Sequence, residues 1–109
     1  MPRDLIQKHL DDVVNPLWNY WGMAKTEKEE IFNAALGLAG EAGEVADIIK
    51  KIYFYENKKG HPTREEQLLK ELGDVYFYLA KTQDLFRFTT AEVLDTNKTK
   101  LFERFNING

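Results

Sequence analysis

Gly37-Leu38-Ala39-Gly40-Glu41-Ala42-Gly43-Glu44-Val45-Ala46-Asp47 is the stretch that decides how this chain is read. Its apolar residues follow helical spacing, and Glu41 falls on the same face as Leu38, Val45 and Ile48. A second stretch, Glu71-Leu72-Gly73-Asp74-Val75-Tyr76, repeats the arrangement, with Glu71 sharing a face with Leu68, Val75 and Tyr78. Both have the form acid-x-x-acid, which puts each pair on one side of a helix, one turn apart. Most acidic pairs at this spacing are solvated surface. These two interrupt apolar stripes instead, and a buried carboxylate needs a proton, a cationic partner or a metal.

Working outward, three Thr residues are each followed three positions later by Glu, before apolar periodicity resumes: Thr26/Glu29, Thr63/Glu66 and Thr89/Glu92. Each is a capping-box signature. They divide the chain into helices over about Asp4–Gly22, kinked or split at Pro16, then Glu27–Tyr55, Arg64–Phe86 and Thr90–Phe105. Residues 56–62 form the one clear loop, punctuated by Gly60 and Pro62. No alternating strand pattern, repeat or low-complexity tract is visible. The expectation is an all-α, four-helix-bundle-like fold, with residues 1–109 as a single domain. The second helix carries Ile31, Phe32, Leu36, Val45, Ile48, Ile52 and Phe54 over more than one face, which predicts a homo-oligomer, at least a dimer.

Composition narrows the function. The chain is 43% hydrophobic and 30% charged, as expected of a globular protein. It has no cysteine, which excludes thiolate zinc sites, disulfides and thiol nucleophiles. A net charge of −3 with dispersed lysines gives no case for binding a nucleic-acid polymer. No apolar run is long enough for a membrane span, and the opening residues do not resemble a secretion signal, so a cytoplasmic protein is expected. Four carboxylates converging from two helices repel strongly, and an all-oxygen ligand set favours Mg²⁺, with Mn²⁺ as a substitute, over zinc or copper. Gly37, Gly40 and Gly43 recur every third residue and Gly73 lies inside the second pair, at a cost of about 1 kcal/mol each against alanine in a helix. Either a ligand or close helix packing would require that space.

The run 37–47 followed by Lys50-Lys51 resembles the first motif of the MazG-like all-α nucleoside triphosphate pyrophosphohydrolases, and Glu71-Leu72-Gly73-Asp74-Val75 resembles the second. Asn97-Lys98-Thr99-Lys100-Leu101, with Arg104, is similar to that family's stretch on the last helix, so the resemblance spans about residues 33–105. It implies Glu41, Glu44, Glu71 and Asp74 as ligands of Mg²⁺. It also implies hydrolysis of a nucleoside triphosphate to monophosphate and pyrophosphate by water attack at the α-phosphorus. Glu41 or Glu44 would act on the water, the protein would be a dimer or dimer of dimers, and its role would be house-cleaning of the nucleotide pool. Gly43 stands where some members carry a further Glu, which leaves the number of metal ions open.

Lys51, seven residues after Glu44 and on nearly the same face, is a candidate phosphate contact. Lys100 and Arg104 would hold the leaving pyrophosphate with Asn97, or else form a solvated basic helix end. Asn33, on the glycine and acid side, is placed to touch sugar or base. Trp18, Tyr20 and Trp21 would stack on a base or fill core, while His9 and His61 have no partner at ligand spacing. Two other classes compete. A di-iron carboxylate bundle needs Glu-x-x-His pairs, which neither motif has. A non-catalytic helical metal-binding or interaction module would leave the acids inert.

Overall fold

The computed structural model describes residues 4–22, 24–54 and 64–107, and among these every regular element is a helix. The N-terminal rod comprises α1 (Leu5–His9), a π-helical turn (Leu10–Val14) and α2 (Asn15–Trp21). Asp4 starts it by accepting the Gln7 N–H at 2.9 Å. The π turn answers the expected kink at Pro16. Proline has no N–H for the carbonyl four residues back, and its ring collides with that carbonyl in an α-helix. Here the helix widens one turn earlier, the Asn15 N–H reaching back five residues to Leu10, and the rod passes Pro16 without breaking. The rod stops at Gly22, where φ of +55° suits glycine.

The long helices are α3 (Glu27–Phe54) and α4 (Arg64–Leu85), followed by α5 (Thr90–Arg104). Thr26 accepts the Glu29 N–H at 3.1 Å, and its hydroxyl also meets the Glu29 carboxylate at 3.2 Å. Thr89 and Glu92 form the full reciprocal box. Thr63 and the expected 56–62 loop, with His61, lie outside the described residues.

α3 and α4 pack as an antiparallel pair: Gly37 lies against Tyr78, Glu41 meets Glu71, and Asp47 feels the charge of Arg64. The rod packs on the other end of α4, where Leu10, Val14, Phe77 and Ala80 form a small core with Ile6, Trp18 and Tyr78 against it. Lys81, only 6% exposed, fastens this junction. Its ammonium donates to Asn15 Oδ1 at 3.0 Å, lies 3.6 Å from Asp84 and stands 5.2 Å from the centre of the Trp18 ring.

The core is small for the chain. Its accessible surface is 8710 Å², against about 6200 Å² for a compact monomer of this mass. The radius of gyration is 17.1 Å, against about 13 Å for a compact chain of this length. Leu36, Tyr53, Phe54, Leu69 and Tyr76 are exposed on α3 and α4. α5 makes no more than glancing contact with the α3–α4 pair. It is tied in through Thr90, which donates to Asp4 Oδ1 at 3.1 Å and accepts from Gln83 at 3.4 Å. No helix among the described residues is long and apolar enough to cross a membrane.

Candidate metal centre

The antiparallel packing of α3 on α4 puts the two acidic motifs opposite one another. Glu41, Glu71 and Asp74 each present a carboxylate oxygen, and these oxygens lie within 4.8 Å of one another. Glu41 and Glu71 are half-buried and Asp74 is exposed. Glu71 Oε2 is buried with no hydrogen-bond partner. A buried carboxylate oxygen without a donor is a costly arrangement.

The electrostatics reflect the crowding. Contact with Glu71, where a shared proton makes a hydrogen bond, is the chief cause that pushes the Glu41 carboxyl up to about 7. Burial and the negative charges of Asp74, Glu71 and Glu44 add to it. Burial, and then Glu71, raises Asp74 as well. A divalent cation would satisfy the orphaned oxygen and favour the ionised forms of Glu41 and Asp74, and its preference for oxygen ligands matches the donor set. The residues present therefore fit a hard divalent metal.

Metal-free, the same crowding has a consequence for stability. Above the ordinary Glu value of 4.5 and up to about 7, the folded protein holds a proton on Glu41 that the unfolded chain has released. Stability then falls as pH rises through that window. In EDTA, the melting temperature of the unaltered protein is expected to drop between pH 5 and pH 8 by more than that of Glu41→Gln; equal drops would show that Glu41 is not strained.

The remaining residues are placed as follows. Glu44, one turn along from Glu41, is exposed and lies outside the group of three, although its charge still reaches Glu41. Lys51 pairs with Asp47 at 2.8 Å and holds that carboxyl below its usual range, so it is engaged on α3 itself. Asn97, Lys100 and Arg104 are all exposed on α5, with Lys100 in a shallow concavity beside Asp95, Thr96 and Glu103; within one chain they are not brought to the acids. Asn33 lines a slot of about 180 Å³ with Trp18, Trp21, Ala24, Leu36 and Tyr78.

Tyr78 is the residue that the sequence left without a role. It sits one turn beyond Asp74, and its ring lies so close to Gly37 that a Cβ there would stand 2.3 Å from Cε1. Burial, followed by the charges of Glu41 and Asp74, raises its hydroxyl. The pairing of Gly37, four before Glu41, with Tyr78, four after Asp74, was the available signal. By contrast, a Cβ at Gly40, Gly43 or Gly73 would meet nothing within 4 Å.

Residues 29–106 match the MazG nucleotide pyrophosphohydrolase domain. Over 78 residues the chain is 37% identical to Gene 37 protein of Mycobacterium phage L5, a stretch covering 70% of this chain and 67% of that protein. No solved structure matches it. The domain match takes in both acidic motifs and the whole of α3, α4 and α5, and on that extent the chain belongs to the MazG nucleotide pyrophosphohydrolase domain family.

Proposed function

We propose that the chain is a magnesium-dependent nucleoside triphosphate pyrophosphohydrolase, converting ribo- or deoxynucleoside triphosphates to the monophosphate and pyrophosphate in house-cleaning of the nucleotide pool. The observation that carries this is the group formed by Glu41, Glu71 and Asp74, with a Glu71 oxygen buried and lacking a donor. These three would hold Mg²⁺, with Mn²⁺ as a substitute. A divalent cation supplies neutralisation of charge on the phosphoryl oxygens and lowers the pKa of a bound water.

Glu44 keeps an exposed carboxylate beside the group without being locked into it. We assign it to orient the attacking water and take its proton, with Glu41 setting the position of the ligand group. The water oxygen bonds to the α-phosphorus, the bond to the bridging oxygen breaks, and pyrophosphate leaves. No His or Cys is required, in keeping with a chain that has no cysteine. A specific outcome follows for Glu44→Gln: kcat falls by about a hundredfold, the usual range for a lost general base, while the affinity for Mg²⁺ is retained. Loss of metal affinity in that variant would move Glu44 into the ligand set.

Incubation with a nucleotide panel and Mg²⁺ in ¹⁸O-water tests the reaction. Equal amounts of monophosphate and pyrophosphate, with the label in the monophosphate, are expected. Orthophosphate and diphosphate, or no turnover of any nucleotide, would overturn the proposal.

The surface in excess of a compact monomer supports a homodimer, or a dimer of dimers, as the working form. Light scattering on the eluted protein is expected to give at least twice 12.7 kDa. A monodisperse monomer at micromolar concentration contradicts this.

A further inference from the structure

We propose that Arg64 binds the terminal phosphate of the substrate and makes the site favour nucleoside triphosphates over diphosphates. This rests on the hydrolase reading above and adds to it a second point of attachment, at the end of the α3–α4 pair away from the contact of Gly37 with Tyr78.

Among the described residues, two buried side-chain atoms have no hydrogen-bond partner, Glu71 Oε2 and Arg64 Nε. Both belong to α4. They are seven residues apart, which is two turns, so they stand on nearly the same face, about 10 Å from one another along the helix. No hydrogen bond or close ion pair joins Arg64 to another described residue. Polar atoms buried without partners cost free energy, and these two carry opposite charge. A single ligand meets both: magnesium on the carboxylate, and a phosphate chain running from that ion to the guanidinium. The planar fork of arginine takes two phosphate oxygens at once.

Charge is divided along the pair in the same way. Its middle holds Glu41, Glu44, Glu71 and Asp74. At the Arg64 end, Asp47 bonds to Lys51 at 2.8 Å and feels the charges of Lys51, Lys50 and Arg64, three cations around one carboxylate. Glu65 and Glu66 follow Arg64 but are exposed, and their charge is not among those that act on Asp47. Asp47 is a positioning residue here, keeping the cations gathered at this end.

The distance selects chain length. In the hydrolase reading the α-phosphate sits at the metal. The terminal phosphate of a triphosphate lies two anhydride links further on, and that of a diphosphate only one. The longer chain and the arginine side chain together cross the two turns from Glu71, and a diphosphate stops short. Hydrolysis of a triphosphate then releases pyrophosphate from Arg64, whereas a diphosphate would give monophosphate and orthophosphate.

Calorimetric titration with inorganic tripolyphosphate in Mg²⁺ tests the contact without any base. Arg64→Gln is expected to weaken it about tenfold or more, as for a lost bond between charged groups, and Arg64→Lys, which keeps the charge but not the fork, to recover part of that loss. Mn²⁺ binding should be the same in all three proteins, and circular dichroism checks their fold. With the nucleotide that is turned over fastest, the ratio of triphosphate to diphosphate kcat/KM should fall at least tenfold in Arg64→Gln. Tripolyphosphate affinity unchanged in Arg64→Gln, no binding to the unaltered protein, a parallel loss of Mn²⁺ binding, or an unchanged ratio overturns the proposal. Pyrophosphate release by the unaltered protein separates the two readings: if it persists while Arg64→Gln binds tripolyphosphate as before, only the Arg64 contact fails; if no nucleotide is turned over, the hydrolase reading fails.

Discussion

Glu41→Gln is expected to lose more than about a hundredfold of the Mg²⁺-dependent pyrophosphate release, since even partners outside a metal's ligand shell commonly cost ten- to a hundredfold. Glutamine keeps the shape of the side chain but removes the charge that a hard cation requires. The helical fold should survive, because Glu41 supports no part of the Leu10, Val14, Phe77 and Ala80 core. Removing one of three mutually repelling groups should also leave the metal-free protein at pH 8 as stable as before, or more so, given how far Glu71 and its neighbours push the Glu41 carboxyl up. Asp74→Asn should behave alike. Loss of activity, helicity and thermal stability together would mean that Glu41 is a structural group. Activity close to that of the unaltered protein would remove it from the site altogether.

Gly37→Ala should lower stability by about 1–3 kcal/mol, the usual cost of overpacking. Two effects oppose one another here. Alanine improves helix propensity by about 1 kcal/mol. Its methyl, however, would stand 2.3, 2.4 and 2.6 Å from three atoms of the Tyr78 ring. That ring has little room to yield, with Phe77 edge-on at 5.1 Å and the small core behind it. The steric effect wins, and α3 must move off α4. Because Tyr78 and Asp74 share that face of α4, activity should fall too. Gly43→Ala provides the control: its Cβ meets nothing within 4 Å, so propensity alone acts and the metal-free protein gains about 1 kcal/mol. Urea denaturation of both variants reads the two signs. Equal gains would show that Gly37 does not set the distance between α3 and α4.

Much of this architecture was legible in the residues because its determinants are local. Thr26 and Thr89 cap where their spacing to Glu29 and Glu92 predicts, and Pro16 marks the irregular turn. How the rod accommodates Pro16 was not legible, since the widened turn depends on Leu10 and Val14 facing α4. The site divides along the same line. Acids inside apolar stripes pointed to Glu41, Glu44, Glu71 and Asp74, and of these Glu41, Glu71 and Asp74 meet. Glu44 stays exposed outside the group, although the same three-residue spacing on α4 brings both Glu71 and Asp74 into it. Lys81 reads in sequence as an ordinary surface lysine; only the docking of α2 buries it on Asn15. Likewise, the spacing of Asn97, Lys100 and Arg104 says which face of α5 they share and nothing about where α5 sits, and in one chain it sits apart from the acids. The glycines were ambiguous between packing and open space, and both occur: Gly37 packs, whereas Gly40, Gly43 and Gly73 are open.

Mn²⁺ binding followed by electron paramagnetic resonance, without nucleotide, isolates the claim that carboxylates from α3 and α4 jointly hold a divalent cation. Such a site predicts saturable binding that Mg²⁺ displaces, lost in Glu41→Gln and in Asp74→Asn and retained in Glu44→Gln. Equal binding by all four proteins, or none by the unaltered one, would contradict it.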